Sequence, residues 1–362
     1  MIQDHSIQNI AAVSVISEGC KISACETSCE PAESCSVSAC DEPQTVNWHG
    51  KPYYSLDAFC KNTYGEKLYK VSLDAGLTCP NRDGRIGTGG CIFCSAGGSG
   101  DFASPIKDAD SFSHSFQESI QRLDGKHTGQ KYIAYFQAYT NTYGPISYLE
   151  KIYRMALAEP LSAGISIATR PDCLPDEVLN LLARLKTEFP EKFIWVELGL
   201  QTIHESTAVW IRRGYPLSCF SDAVKKLHSL NIPVIVHVIL GLPGETREDM
   251  TETIAYLNRQ PIMGIKLQML HILKNTDLGT LYEHSPSSCG GFHSREDYLN
   301  VLIDCLTSLR PDIVIHRLTG DAPRKLLLFP MWSTDKRQIL NLLHMEMKKR
   351  HAFQGQFYHA PG

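Results

Sequence analysis

The stretch Asp74-Ala75-Gly76-Leu77-Thr78-Cys79-Pro80-Asn81-Arg82-Asp83-Gly84 is followed by Gly89-Gly90-Cys91-Ile92-Phe93-Cys94-Ser95-Ala96-Gly97-Gly98-Ser99-Gly100-Asp101. It places Cys79, Cys91 and Cys94 in a C-x11-C-x2-C spacing on one long, glycine-rich segment. Glycine lets a backbone fold closely around something bulky. Cys91 and Cys94 can reach one centre together, and Cys79 must return over a loop to join them. Three thiolates on a cubane iron–sulfur cluster leave one iron open to a further ligand. Structural zinc would instead need a fourth ligand, since it binds four in a tetrahedron. No second C-x2-C is present, and Cys60 or His114 would have to serve.

Outward from this loop the chain alternates strand and helix signals from Trp48 onward. Strands are expected at Leu68–Leu73, Tyr132–Ala138, Gly164–Ala168, Phe193–Leu198, Pro233–Leu240, Gly264–Leu270 and Ile313–His316. Helices are expected at Ser113–Leu123, Ile146–Ala158, Pro175–Phe189, Phe220–Leu230, Arg247–Leu257, Glu296–Leu309 and Lys336–Arg350. Repeated β–α units imply a parallel sheet with right-handed crossovers. The fold class is therefore α/β, an open sheet or a partial or full parallel (β/α) barrel. Chemistry then belongs at the C-terminal ends of the strands.

The chain has 362 residues, 43% hydrophobic and 20% charged, with a formal net charge of -4. No run approaches the roughly 18 apolar residues of a membrane helix. The N-terminus has no basic region before an apolar run, so a secretory leader is not expected and the cytoplasm is the expected location. Thirteen cysteines without an export signal point to metal or redox chemistry rather than a disulfide framework. Cys60, Cys173, Cys219, Cys289 and Cys305 are scattered and read as small buried hydrophobes.

Three regions follow. Residues 1–46 lack aromatics, carry seven acids against Lys21, and hold Cys20, Cys25, Cys29, Cys35 and Cys40. Such a segment cannot bury enough surface to order itself, so a flexible acidic tail is expected. A second cluster or metal on its cysteines is the alternative. Residues 47–310 form the core. Residues 311–362 form a basic, helical extension; from Arg317 to Arg350 its bases Arg317, Arg324, Lys325, Lys336, Arg337, Lys348, Lys349 and Arg350 outnumber Asp321, Asp335 and Glu346. That excess is either a solvated helix face or an anion-binding surface.

Further motifs recur at strand ends: Ser166-Ile167-Ala168-Thr169-Arg170-Pro171-Asp172, Val196-Glu197-Leu198-Gly199-Leu200-Gln201-Thr202, Arg212-Arg213-Gly214-Tyr215, His237-Val238-Ile239-Leu240-Gly241-Leu242-Pro243-Gly244-Glu245 and His316-Arg317-Leu318-Thr319-Gly320-Asp321-Ala322-Pro323. Together with the C-x-aromatic-C ending, they make the chain from about Trp48 onward resemble the radical S-adenosylmethionine enzymes. Within that superfamily it resembles the YhcC/YtqA-like group, relatives of the Elongator catalytic subunit. The common superfamily spacing is C-x3-C-x2-C, and this chain departs from it.

The resemblance implies that Cys79, Cys91 and Cys94 hold a [4Fe-4S] cluster whose open iron binds S-adenosylmethionine. One electron, from a donor such as flavodoxin or ferredoxin, then yields a 5′-deoxyadenosyl radical that takes a hydrogen atom from substrate. Gln201 and Arg213 match positions that contact the methionine and ribose parts, His237 matches a polar position on the fifth strand, and Gly241 would let the backbone approach adenine. The usual Gly-Gly-Glu after the second strand is replaced here by Gln137-Ala138-Tyr139-Thr140-Asn141-Thr142, leaving Gln137 and Thr140 as candidates for the amino-group contact. Lys266 and His271 flank the sixth strand's end and are the candidate catalytic residues. The resemblance further implies tRNA as partner and its wobble uridine as substrate, with a carboxymethylaminomethyl group processed towards aminomethyl. Two other readings stay open at this point: a radical enzyme acting on a peptide or small molecule, and a non-enzymatic metal protein that binds RNA.

Overall fold

The computed structural model describes residues 48–360 except 99, 107–110, 122 and 124–128. The expected tail, with its five cysteines, lies outside the described residues. In chain order the elements begin with α1 (Leu56–Tyr64), β1 (Tyr69–Asp74), β2 (Ser104–Pro105), α2 (Phe112–Gln121), β3 (Tyr132–Phe136), α3 (Ile146–Ala158) and β4 (Ser162–Thr169). Next come α4 (Asp176–Glu188), β5 (Phe193–Gln201), α5 (Glu205–Trp210), α6 (Leu217–Ser229), β6 (Val234–Leu240), α7 (Arg247–Leu257) and β7 (Gly264–Met269). The chain continues through β8 (Ile272–Leu273), α8 (Asp277–His284), α9 (Arg295–Ser308), β9 (Val314–Arg317), β10 (Leu327–Phe329) and α10 (Lys336–Lys349).

The main sheet runs β2-β1-β3-β4-β5-β6-β7-β9, with every pairing parallel. β8 and β10 pair antiparallel beside it. Six steps separate β1 from β9, which in a flat sheet would be about 29 Å. Yet Lys70 Nζ on β1 lies 3.4 Å from His316 Nδ1 on β9. The sheet therefore curls until its two sides face each other, as a partial barrel; no ladder among the described residues joins β9 to β1 or β2.

Alternation along each strand separates two surfaces. On β5, Ile194, Val196, Leu198 and Leu200 face outward into the main core with the helices. Trp195 joins Cys60, Leu68, Ile133 and Ile235 in a separate apolar cluster at the N-terminal end of the barrel, with Leu56 and Phe59 of α1 packed on it. Trp195 stacks on Phe193 with centroids 4.1 Å apart. α1 thus closes one end of the barrel. Its own ends are fixed by Ser55, which accepts from the Ala58 N–H, and by Gly65 at φ 75°.

The boundary expected at 310/311 falls just before β9, which pairs with β7. The segment drawn as an extension supplies a strand of the sheet. Its later residues are bound to the core as well. Tyr53 Oη lies 3.0 Å from His344 Nε2, the Gln354 N–H donates to the Pro52 carbonyl, and Gln354 Nε2 donates to the carbonyls of Arg310 and Ile313. Among the described residues no helix is long and apolar enough to cross a membrane.

Candidate active site

The open end of the barrel is formed by the C-terminal ends of the strands and the loop after β1. That loop is held by the residues between its cysteines. Asn81 Nδ2 donates to the Arg212 carbonyl at 2.6 Å and approaches Cys91 Sγ at 3.7 Å. Arg82 donates to the carbonyls of Cys94 and Ser95 at 2.8 and 2.7 Å. Gly98 has φ 57°, and a Cβ there would lie 2.3 Å from the Tyr139 ring. The loop can lie this close to the end of β3 only without a side chain.

Cys79, Cys91 and Cys94 line one cavity of about 200 Å³ together with Gln137, Thr140 and Gln201. Arg213, His237 and Lys266 line it too. Residues far apart in sequence are thus assembled where the fold expects chemistry. Two assignments fall elsewhere. Gly241 has φ 80° and faces Phe292, 2.8 Å from where its Cβ would be, so it serves the packing of the β6–α7 turn and does not line the cavity. His271 lines an adjoining cavity of about 420 Å³ and lies 2.9 Å from Ser333 Oγ. The two cavities share Phe93, Gln137, Gln268 and Arg317 as walls.

The donor set decides between zinc and a cluster. Tetrahedral zinc with sulfur at about 2.3 Å holds its ligand atoms about 3.8 Å apart. Among the described residues, the set of metal-ligating atoms within 4.8 Å of one another is His204, Asp249 and Glu252, not the three thiols. Neither fourth ligand is available. Cys60 is on the buried face of α1 at the opposite end, and His114 is exposed on α2 beside Glu118. Three thiols spread around a polar-walled cavity fit a cubane with one open iron. Burial, reinforced by Cys94, pushes the Cys91 thiol up to about 12, and burial raises Cys94 against the pull of Arg82. Such thiols keep their protons until a metal displaces them.

Arg213 is 1% exposed. It donates to the carbonyls of Tyr215, Leu200 and Thr202 and to Glu205, so most of its donors shape the loops around the cavity. Arg170 forks onto both oxygens of Asp172 and donates to the Arg213 carbonyl. Gln201 has φ 62° at the end of β5, and its Oε1 accepts from Tyr215 Oη at 3.4 Å.

Beneath the other cofactor candidates lies a layer of ionisable groups that joins His237 and Lys266 to two residues not singled out from the sequence, Lys70 and Glu197. Glu197 on β5 is fully buried. One oxygen takes Lys70 and the Ser166 hydroxyl; the other takes Lys266 and, at 2.6 Å, His237 Nε2. Lys266 Nζ also donates to Tyr135 Oη at 3.0 Å. Burial works against the Glu197 carboxylate, but Lys266, Lys70 and His237 hold its pKa well below the usual range. Burial and Lys266 hold His237 at about 4, so it is neutral and its Nε2–H donates to the carboxylate. The sequence does carry a signal: Glu197 is the one acid in the apolar run of β5 and Lys266 the one base within β7.

A curled parallel sheet, with three cysteines on the loop after its first strand and a polar cavity at its open end, defines an enzyme class built around an iron–sulfur cluster with one open iron. The family model described as the Radical SAM superfamily matches residues 82–257, and that described as the Radical_SAM C-terminal domain matches residues 262–349. YtqA of Bacillus subtilis is 42% identical over 308 residues, covering 85% of this chain and 93% of its own. YhcC of Escherichia coli K12 is 34% identical over 273 residues, covering 75% of this chain and 85% of its own. The solved structure of the archaeal Methanocaldococcus infernus Elp3 with N-terminus deletion (1–46) has a TM-score of 0.59 at 15% identity, covering 79% of this chain and 64% of that one; this likeness is one of fold. The chain belongs to the YtqA/YhcC family of radical SAM proteins. Its cofactors are a [4Fe-4S] cluster and S-adenosylmethionine, and enzymes of this superfamily require an electron donor.

Proposed function

We propose that this radical SAM enzyme modifies tRNA at the wobble uridine, processing a carboxymethylaminomethyl side chain towards aminomethyl. Flavodoxin or ferredoxin would serve as its reductant. The observation that carries this reading is the mouth beside the cofactor cavity. It is lined by Phe93, by Phe102 at 61% exposure, and by Arg317 and Lys336. RNA-modifying proteins splay single bases out, stack them on aromatic side chains, and hold phosphates with cations. The shared walls Gln137 and Gln268 would bring a base inserted here against the inner cavity.

When bound, the cluster and S-adenosylmethionine supply a one-electron carbon–sulfur cleavage and a hydrogen-abstracting radical. The chain does the rest. Cys79, Cys91 and Cys94 hold the cluster, and Gln137, Thr140 and Gln201 offer hydrogen bonds to the cofactor's polar ends. Arg213 fixes the loops that carry these contacts. The curled sheet, closed below by α1, keeps bulk water from the reacting groups. Mass analysis of tRNA nucleosides from cells lacking the protein tests the assignment. The carboxymethylaminomethyl form should accumulate and the aminomethyl form should disappear. An unchanged nucleoside profile would move the substrate to a peptide or small molecule.

A further inference from the structure

The ionic layer inside the barrel does not balance. Lys70 and Lys266 both converge on the single carboxylate of Glu197. His237 adds no negative charge, and His316 is held neutral by burial, with Lys70 next in effect. Arg317 is the register partner of Lys266 across β7 and β9 and lines the same cavity. Its nearest acid is Asp321, at the rim and 3.4 Å away. The floor and its rim thus hold Lys70, Lys266, Arg317 and Lys336 against two carboxylates: Glu197, whose two oxygens already accept four partners, and Asp321, which takes both Arg317 and Lys336.

The cofactor does not account for this surplus. Glu197 precedes Gln201 by four residues on β5, about 13 Å along a strand. The cations nearer the cysteines have their own partners: Arg82 on carbonyls of the cluster loop, Arg170 on Asp172, and Arg213 on Glu205 and backbone. Lys266 is 2% exposed and Arg317 is half-buried, and a cation surplus held partly out of water calls for an anion to complete it.

We propose that the floor of the cavity is a carboxylate site, in which Lys266 and Arg317 hold the acid end of the substrate's carboxymethylamino group. This identification of the occupant rests on the wobble-uridine reading; the anion site itself rests on the charge count. Glu197, with Lys70 and His237, is the positioning group that keeps Lys266 aimed upward. Burial pulls the Lys266 ammonium well below the ordinary lysine value, and a bound carboxylate would restore it. The site selects for the acid and releases the aminomethyl product, which no longer carries the carboxylate.

The test uses the reconstituted full chain with S-adenosylmethionine and three anticodon stem–loops. These carry carboxymethylaminomethyluridine, its methyl ester or aminomethyluridine. Wild type should bind the acid about tenfold or more tightly than the ester, which keeps the amine but has no carboxylate, the scale of a charged hydrogen bond. Lys266→Met and Arg317→Gln should each bring that ratio close to one, and Lys266→Arg should keep it. Equal binding of acid and ester by wild type, or an undiminished ratio in both neutral variants, overturns the site. So does a loss of S-adenosylmethionine affinity with the acid preference intact, which would give the cations to the cofactor. A second probe is independent of RNA: thermal stabilisation of the same protein by N-methylglycine compared with N-methylglycinamide. Stabilisation by the acid alone, lost in Lys266→Met, supports the anion site even if none of the stem–loops binds. That pattern would sink the wobble-uridine reading and leave the site standing. No difference between acid and amide overturns the site whatever the RNA does.

Discussion

Cys60 is a buried thiol and Cys91 a half-buried one, and their surroundings give them opposite fates. Cys91 borders a polar cavity with Cys79 and Cys94. Cys60 sits among Leu68, Ile133 and Trp195, where burial pushes it up to about 11. Cys79→Ala, Cys91→Ala and Cys94→Ala should therefore each lose the iron of the barrel site and S-adenosylmethionine cleavage. Cys60→Ala should keep both and lose only stability, by about 1 kcal/mol for one small buried group. Iron analysis and deoxyadenosine formation after anaerobic reconstitution check this; full iron in Cys91→Ala would end the assignment. At this scale the sequence is legible where chemistry depends on spacing, as in C-x11-C-x2-C. It is illegible where chemistry depends on which strands meet. Glu197 reads as one acid in an apolar run, and only the curl of the sheet brings Lys70, from 127 residues away, to its oxygen. Gly241 is likewise read by likeness, and what the fold puts against it is Phe292.

Element by element, the strands were readable because parallel strands buried on both faces are long apolar runs. β3 and β4 are buried along their whole length. α3 and α7 coincide with their expected bounds, α7 because Thr246 and Asp249 form a reciprocal capping box. The plug α1 and the two-residue strands gave too short a period to detect. Strand position also sets ionisation. Burial holds His237 on β6 and His271 just after β7 at about 4, against about 6.5 in an unfolded chain. Because the folded values are depressed, the unfolded chain binds more protons as pH falls from 6.5 towards 4. Stability is lost over that window, by about 2 kcal/mol per histidine between pH 7 and pH 5. His271→Gln should therefore lose about 2 kcal/mol less than wild type on acidification, read from denaturant unfolding at the two pH values. Equal losses would show that His271 is not buried neutral. Arg213 belongs to this scale too. Alanine there strands the carbonyls of Leu200, Thr202 and Tyr215, so Arg213→Ala should cost at least about 3 kcal/mol of stability along with cofactor affinity.

For the molecule as a whole, the basic excess after residue 311 divides in two. Lys336 and Arg317 line the mouth, with Arg324 and Lys325 exposed on the connection to β10 and Arg337 exposed at the start of α10. Lys348, Lys349 and Arg350 lie at the other end of that helix, about 20 Å away. Two of these are engaged, Arg350 with Glu346 and Asn300 and Lys349 with Glu346, as Arg317 and Lys336 are with Asp321 at the mouth. A tRNA presenting its wobble base to the mouth must bring flanking phosphates to the first group before the second. Replacing Arg324, Lys325 and Arg337 together by Gln should weaken tRNA binding. It should also lower the slope of log affinity against log salt by roughly two to three units, as three released counterions require. Replacing Lys348, Lys349 and Arg350 should change the slope by less than one unit. Cleavage of S-adenosylmethionine without tRNA should persist in both variants, since none of the six residues lines the cluster cavity. Titrations of both variants at two salt concentrations read the outcome. Equal slopes for wild type and the mouth variant would make the excess a solvated surface and take electrostatic support away from a nucleic-acid substrate. A larger effect from the far group would instead place the RNA along α10, with its base unable to reach Phe102 and the cavity behind it.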